Sequence, residues 1–285
     1  MPTSAVRAAL VTGCSTGIGR AAALALDSRG FAVYATARRP ETLAELAARG
    51  ISTLALDVDD EASMVAAVDT VQAEHGHVSV LVNNAGYALQ GPVEETPIDA
   101  VRAQFETNVF GLVRLSQLVL PAMRAAHEGR IINIGSMGGR FTFPGGGFYH
   151  ASKHAVEAIS DALRLEVAPF GVHVSLVQPG PVRSAFVDAA VGSMDEAPGS
   201  AYAGFRRDIA ERMHQAYDGS STNLEVTPEK VAEVIVSAAT SSRPRSRYAV
   251  GAMARTLITS RRLLPDVAWD PIMKAVWPTP EVPED

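Results

Sequence analysis

Apolar positions along this 285-residue chain follow two alternating periods. Runs rich in Val, Ile, Leu and Ala occur at Ala8–Val11, Phe31–Thr36, Ser52–Val58, Val78–Val82, Arg130–Ile134, Val172–Val177 and Arg247–Val250. These runs are near-continuous rather than strictly alternating, the pattern of strands buried on both faces. Between them, apolar positions recur at helical spacing near Ile18–Arg29, Glu41–Arg49, Glu61–Glu74, Ala100–Ala126, Tyr149–Phe170 and Pro228–Thr240. Neighbouring parallel strands need a long crossover, usually a helix. The pattern therefore predicts an α/β protein with a doubly wound parallel sheet of seven strands.

Two stretches depart from this alternation. Residues from about 183 to 227 follow the sixth strand with none of their own and mix Phe186, Met194, Tyr202, Phe205, Met213 and Tyr217 with charges. A connection that long is either functional or disordered, and the spaced aromatics favour a helical lid. The C-terminal extension, about 251–285, carries Trp269 and Trp277 with Leu263, Leu264, Ile272 and Met273. Such residues need cover: packing on the parent domain is the first expectation, a subunit interface the second and a membrane surface the third, because the segment ends in Glu281, Glu284 and Asp285. No repeat, low-complexity tract or linker divides the chain, so residues 1–285 are expected to form a single domain.

With 47% hydrophobic and 20% charged residues, the chain can bury a large core. A net charge of −6 gives no general reason for binding nucleic acid or an anionic membrane. The short basic runs at Arg243, Arg245, Arg247 and at Arg261, Arg262 lack the aromatic platform of a single-strand binder. No basic and apolar leader precedes the first strand, and no uninterrupted apolar run reaches the roughly 18 residues of a membrane span. A cytoplasmic location is expected. The single cysteine, Cys14, can form neither an intramolecular disulfide nor a cysteine metal site, and the seven histidines show no HExxH spacing, so no metal is expected.

The chemistry concentrates at the carboxyl ends of the strands. Tyr149 and Lys153, in Tyr-His-Ala-Ser-Lys, lie one helical turn apart on one face, and Ser136 precedes Tyr149 by thirteen residues. An ammonium beside a phenol favours the tyrosinate, which suits proton exchange with an alcohol or carbonyl. The chain holds 22 Arg against three Lys, so an amine chosen for solubility alone is a poor account of Lys153. Thr12 to Gly19 joins the first strand to the first helix. There Gly13, Gly17 and Gly19 allow a tight turn, and the backbone of Ser15, Thr16 and Ile18 can approach a pyrophosphate at the helix N-terminus. This spacing differs from GxGxxG.

Arg38, at the end of the second strand, stands where an NAD site usually carries an acid and where arginine can take a 2′-phosphate, so it argues for NADP(H), with NAD(H) the alternative. Asp57 and Val58 follow the third strand, where an adenine would lie. Asn83-Asn84-Ala85-Gly86 ends the fourth, its asparagines either tying strand ends together or contacting a ribose. Pro179-Gly180-Pro181-Val182 makes a rigid turn after the sixth.

In order, the TGxxxGxG loop at Thr12–Gly19, NNAG at Asn83–Gly86, Asn108, Ser136, YxxxK at Tyr149–Lys153 and the PG turn at Pro179–Gly180 strongly resemble the short-chain dehydrogenase/reductase family over residues 5 to 251. The resemblance implies a Rossmann-type fold, a nicotinamide cofactor and a tetrad. In that tetrad Tyr149 is the acid/base, Ser136 polarises the substrate oxygen, Lys153 binds the ribose and Asn108 holds a relay water. Ser184 stands at the Thr position of the family's PGxVxT pattern. The stretches Tyr149–Ala158, Arg164–Glu166 and Ala35–Arg39 are similar to the hydroxysteroid and retinol dehydrogenase-like branch, which implies an apolar alcohol or ketone substrate.

Phe141, Phe143, Phe148, Tyr87 and the lid aromatics are candidates for an apolar pocket, or for core packing. Smaller aldehydes, ketones or 3-oxoacyl thioesters are the competing substrates, and a non-catalytic NADP(H)-sensing module is the competing function. Asn108 is a poor helix former within a helix, consistent with a local kink. The resemblance also implies a homodimer or homotetramer built on the long helices near 100–126 and 149–170.

Overall fold

The computed structural model of the chain describes residues 6–182, 186–194, 199–217 and 226–280. Seven parallel strands form one sheet: β1 (Ala8–Val11), β2 (Ala32–Ala37), β3 (Ser52–Ala55), β4 (Val80–Asn83), β5 (Gly129–Ile134), β6 (Val172–Pro179) and β7 (Arg247–Val250). Their spatial order is β3-β2-β1-β4-β5-β6-β7. The chain winds outward from β1 to β3, then returns to β4 and winds the other way. This reversal between β1 and β4 opens a crevice at their carboxyl ends, the usual ligand position in open α/β sheets.

Strand residues alternate between two buried faces. Ala9, Val11, Val33, Val80 and Ile132 face one way, towards α1 (Gly17–Asp27) and, across the sheet, α9 (Pro228–Thr240). Leu10, Tyr34, Leu81 and Ile131 face the other way, towards α3 (Glu61–His75) and α5 (Leu112–Ala126). Both faces are covered, which is why the strands read as continuous apolar runs. On that second face α6 (Gly147–Val167) sets Val156 beside Leu176 of β6.

Several elements are shorter than the pattern predicts. The expected helix at 41–49 is a 3₁₀ turn, Pro40–Leu43, followed by the single turn α2 (Ala44–Ala47). The third strand stops at Ala55, because Asp57 turns the chain by accepting the Asp59 N–H on Oδ1 at 3.1 Å. The long helix near 100–126 is three pieces: α4 (Ile98–Phe105), a π-helical turn at Glu106–Gly111 and α5. The kink expected at Asn108 is thus a widened turn. Residues 98–126 together have the length and apolar character of a membrane span. Here they lie along the domain, with Leu115, Val119 and Met123 fully buried.

The segment expected as a lid contains α7 (Phe186–Val191) and α8 (Ala203–Tyr217) among its described residues. The Tyr217 side chain lies outside them. Phe205, Ile209 and Met213 of α8 pack with Ala88 and Ala190. The C-terminal extension forms α10 (Ala252–Leu263) and α11 (Asp266–Val276). Trp269 is buried and meets Phe141 edge-on, ring centroids 5.6 Å apart. Trp277 stacks on Phe143 at 3.8 Å, with its ring nearly parallel. The extension therefore packs on the parent domain, the first of the three arrangements expected.

Candidate active site

A cleft of about 770 Å³ runs across the carboxyl ends of the strands. Its floor is the loop from β1 to α1. Gly13 and Gly17 have φ of +70° and +58°, a conformation side chains rarely adopt. Gly19 is buried behind the loop, where a Cβ would stand 2.3 Å from the Gly13 carbonyl oxygen and 2.5 Å from Asn84 Nδ2. Thr16, at the N-cap of α1, makes no side-chain cap, and the first turn carries no acid. The leading N–H groups of α1 therefore keep a favourable field for an anion. Ser15, Thr16, Gly17 and Ile18 all line the cleft.

Arg38 lines the cleft from the end of β2. Its guanidinium is exposed and pairs with no carboxylate among the described residues. Asp57 and Val58 line the same end, with Ala85 and Gly86 opposite. A bare glycine turn at a helix N-terminus fits the pyrophosphate of a dinucleotide.

Asn84 lines the cleft, yet its side chain is committed: Nδ2 donates to Thr12 O at 2.8 Å and to Gly13 O at 3.1 Å. Of its two expected roles, the structure shows the tie. Asn83 plays a parallel part lower down, donating to Asn133 Oδ1 at 2.9 Å across β4 and β5. Pro179, Gly180 and Val182 line the far wall, where Val226 N donates to Pro181 O. Ser184 lies outside the described residues. Cys14 is buried under the loop, and burial pushes its thiol up to about 12, so it is inert.

At the other end of the cleft stand Ser136, Tyr149 and Lys153. Ser136 follows β5 and accepts the Gly138 N–H at 3.0 Å, which fixes its hydroxyl. That hydroxyl lies close enough to Tyr149 to oppose the effect of burial on the phenol. Lys153 is one turn along α6, 6% exposed, and donates from Nζ to Ile134 O at 2.9 Å. The ammonium lies 5.9 Å from the Tyr149 ring centroid.

The expected lowering of the phenol pKa is not what this geometry gives. Burial pushes Tyr149 up to about 12 against the opposing effect of Ser136, and pushes Lys153 down to about 8. Desolvation disfavours both charged forms, and it outweighs an ammonium that is not in contact with the phenol oxygen. Asn108 stands behind the cleft wall, 1% exposed. Its Oδ1 accepts the Tyr87 N–H and its Nδ2 donates to Tyr87 O and Ser152 Oγ.

A second chamber of about 300 Å³ opens beside the first. Ser136, Tyr149 and Phe186 line both. Phe141, Phe143 and Phe186 line the chamber as expected of pocket residues, with Met213 beside them, whereas Tyr87 lines the dinucleotide cleft and Phe148 lines neither. His150, Gln90 and Arg212, which the sequence does not single out, also line it, as does Trp277, expected from the sequence only to need cover. Only His150 carries a local signal, its place inside the Tyr-His-Ala-Ser-Lys motif.

A doubly wound sheet, a glycine-floored cleft at its switch point and a phenol, hydroxyl and amine at the cleft's end define a dinucleotide-dependent oxidoreductase. The chain belongs to the short chain dehydrogenase family, whose model matches residues 7–194. It is 39% identical over 274 residues to human 17-beta-hydroxysteroid dehydrogenase type 1, spanning 90% of this chain and 78% of that one. A short-chain dehydrogenase from Streptomyces avermitilis superposes with a TM-score of 0.79 at 35% identity, covering 96% of this chain and 99% of the other. A variant actinorhodin polyketide ketoreductase solved with NADPH superposes with a TM-score of 0.75 at 31% identity, covering 89% and 99%. The protein is an oxidoreductase of the kind that acts on CH–OH groups with NAD(P).

Proposed function

We propose that this protein is an NADP(H)-dependent oxidoreductase that interconverts an apolar ketone and its alcohol, with Ser136, Tyr149, Lys153 and Asn108 as its working residues. The observation that carries this is the junction: Ser136 and Tyr149 line both the dinucleotide cleft and the apolar chamber. A carbonyl placed there lies within reach of both hydroxyls. Bound nicotinamide supplies the hydride. Ser136, fixed by Gly138, donates to the substrate oxygen and stabilises charge developing on it. Tyr149 gives its proton to that oxygen in reduction and takes it back in oxidation. Burial keeps the phenol protonated at neutral pH, the form in which it can donate a proton to the substrate oxygen. Lys153 adds a positive charge beneath Tyr149 and a donor towards a ribose. Asn108, its side chain committed to Tyr87, holds the widened turn of its helix open, leaving a relay water to its backbone.

Arg38 is assigned to the 2′-phosphate, with Asp57 at the adenine and the Val182 N–H at the carboxamide. The ketoreductase relative solved with NADPH supports the cofactor reading, and the steroid dehydrogenase relative supports an apolar alcohol or ketone. Exposed Phe110 and Leu165 on the long helices suit the homo-oligomer expected from the resemblance. The test is Tyr149→Phe: turnover of medium-chain ketones should fall by about 10² or more while NADPH affinity stays within a few-fold. Turnover matching the wild type would remove Tyr149 from this role. Tight NADPH binding by the wild type with no turnover of any ketone would favour the sensing module.

A further inference from the structure

The apolar chamber contains one polar ring that no described residue satisfies. His150 is 0% exposed, and neither of its ring nitrogens has a hydrogen-bond partner among the described residues. Its slot is built. A Cβ on Gly138 would stand 2.5 Å from His150 Cδ2, and one on Gly146 2.5 Å from Cε1. Neither glycine has a positive φ, so they serve here as space rather than as turns. Phe143 closes the slot edge-on, 4.2 Å between ring centroids. Gln90, 3% exposed, lines the same chamber with Oε1 unpartnered.

Leaving such groups unpaired is costly, and a ligand that pairs with them recovers that cost. Burial, with His154 adding to it, pushes His150 down to about 3, so the ring is neutral, with one donor nitrogen and one acceptor. The position of a Gly138 Cβ is 3.0 Å from His150 Nε2 and 3.4 Å from Ser136 Oγ. The imidazole and the hydroxyl that holds the reacting oxygen are therefore near neighbours, and both residues line the chamber. Two substrate oxygens, each about 3 Å from its anchor, would have to sit close together on the carbon skeleton. Around them the wall is Met137, Phe143, Met213, Leu257 and Trp277.

We propose that His150 is a specificity-determining residue that hydrogen-bonds a second oxygen of the substrate, a hydroxyl or carbonyl one or two carbons from the reacting carbon, on an otherwise apolar body. The proposal rests on the ketone-reducing reading above and narrows its substrate class. A site that must satisfy a buried polar group discriminates strongly against an analogue lacking the matching group.

The test compares NADPH-dependent kcat/KM for methyl octyl ketone, for the hydroxymethyl octyl ketone and for the methyl ester of the matching β-keto acid. The wild type should favour at least one oxygenated substrate by about tenfold or more. His150→Leu should bring that ratio close to one, and His150→Gln, which keeps a donor and an acceptor, should restore part of it. NADPH affinity and melting temperature monitor the fold of each variant. If His150→Leu does not fold, the wild-type ratio and His150→Gln decide alone. Equal kcat/KM for all three substrates in the wild type, or a ratio unchanged in the leucine variant, overturns the proposal and leaves the parent reading standing. Turnover of none of them, with NADPH still bound, removes the parent reading and this proposal with it.

Discussion

Asn108 holds the backbone of Tyr87 at both ends, accepting its N–H on Oδ1 at 3.0 Å and donating from Nδ2 to its carbonyl at 2.9 Å. The same Nδ2 reaches Ser152 Oγ at 3.1 Å, so one amide joins the loop after β4 to α6. Gly86 makes room for it, since a Cβ there would stand 2.8 Å from Asn108 Oδ1. Asn108→Ala removes all three bonds and leaves the Tyr87 N–H without its acceptor, while Tyr87 O keeps Gln104 Nε2; this should cost roughly 2 kcal/mol of stability and lower kcat by at least about tenfold. Asn108→Asp keeps the acceptor for Tyr87 N–H and loses the donors, so it should fall between. Thermal melting and steady-state rates read both; an alanine variant with wild-type kcat would leave Asn108 a purely structural residue.

Two glycine-to-alanine changes should separate close approach from backbone strain. At Gly19 the new methyl meets the Gly13 carbonyl and Asn84 Nδ2, so the loop must open and NADPH affinity should fall by at least about tenfold. At Gly30 φ is +79° with nothing within 4 Å, so alanine should cost about 1 kcal/mol of stability and leave NADPH affinity unchanged. Titration of NADPH into each variant decides, and unaltered affinity in Gly19→Ala would contradict the assignment of the cradle.

Arg38 should set the choice between the two nicotinamide dinucleotides. An exposed guanidinium without a carboxylate partner among the described residues can meet a 2′-phosphate, whereas an aspartate would repel it and accept from a ribose hydroxyl. Wild type should bind NADPH at least about tenfold more tightly than NADH, and Arg38→Asp should lose or reverse that preference. Equal affinities in the wild type would make Arg38 a surface residue and favour an NAD-linked, oxidative role.

The sheet is legible in the sequence because both faces of its inner strands are covered, which turns them into near-continuous apolar runs, as at β1 and β4. Boundaries are less legible where side chains override the pattern: Asp57 ends β3 early by capping its own turn, and the widened turn at Glu106–Gly111 is signalled only by Asn108. The cofactor end is legible because close approach demands glycine and a phosphate demands a cation, so residue type alone points to Gly13, Gly17 and Arg38. The substrate end is not. Trp277 reaches Phe143 from a segment more than a hundred residues distant, and no local period could place it there. The Tyr149 pKa is also hidden, because burial is a property of the assembled wall rather than of a motif.

Lys153 should leave a pH signature in stability as well as in rate. Its folded pKa, about 8, lies below the 10.5 of an exposed lysine. Below pH 8 the ammonium is charged in both states and its burial opposes folding in full. Between pH 8 and 10.5 the folded state has released the proton that the unfolded state still binds, so stability from this residue rises with pH. Cys14 and Tyr149 act in the opposite sense, since burial raises both, and their contributions fall as pH passes about 9 and 10 respectively. The informative quantity is therefore the difference between wild type and Lys153→Met, in which Cys14 and Tyr149 largely cancel. That difference should move in favour of the wild type by roughly 2 kcal/mol from pH 8 to 10, measured by denaturant unfolding. At neutral pH the methionine variant should unfold no more easily than wild type and should have lost most of its turnover, because the charge that burial penalises is the one the reaction uses. A flat difference across that pH range would mean that Lys153 is solvated in the folded protein.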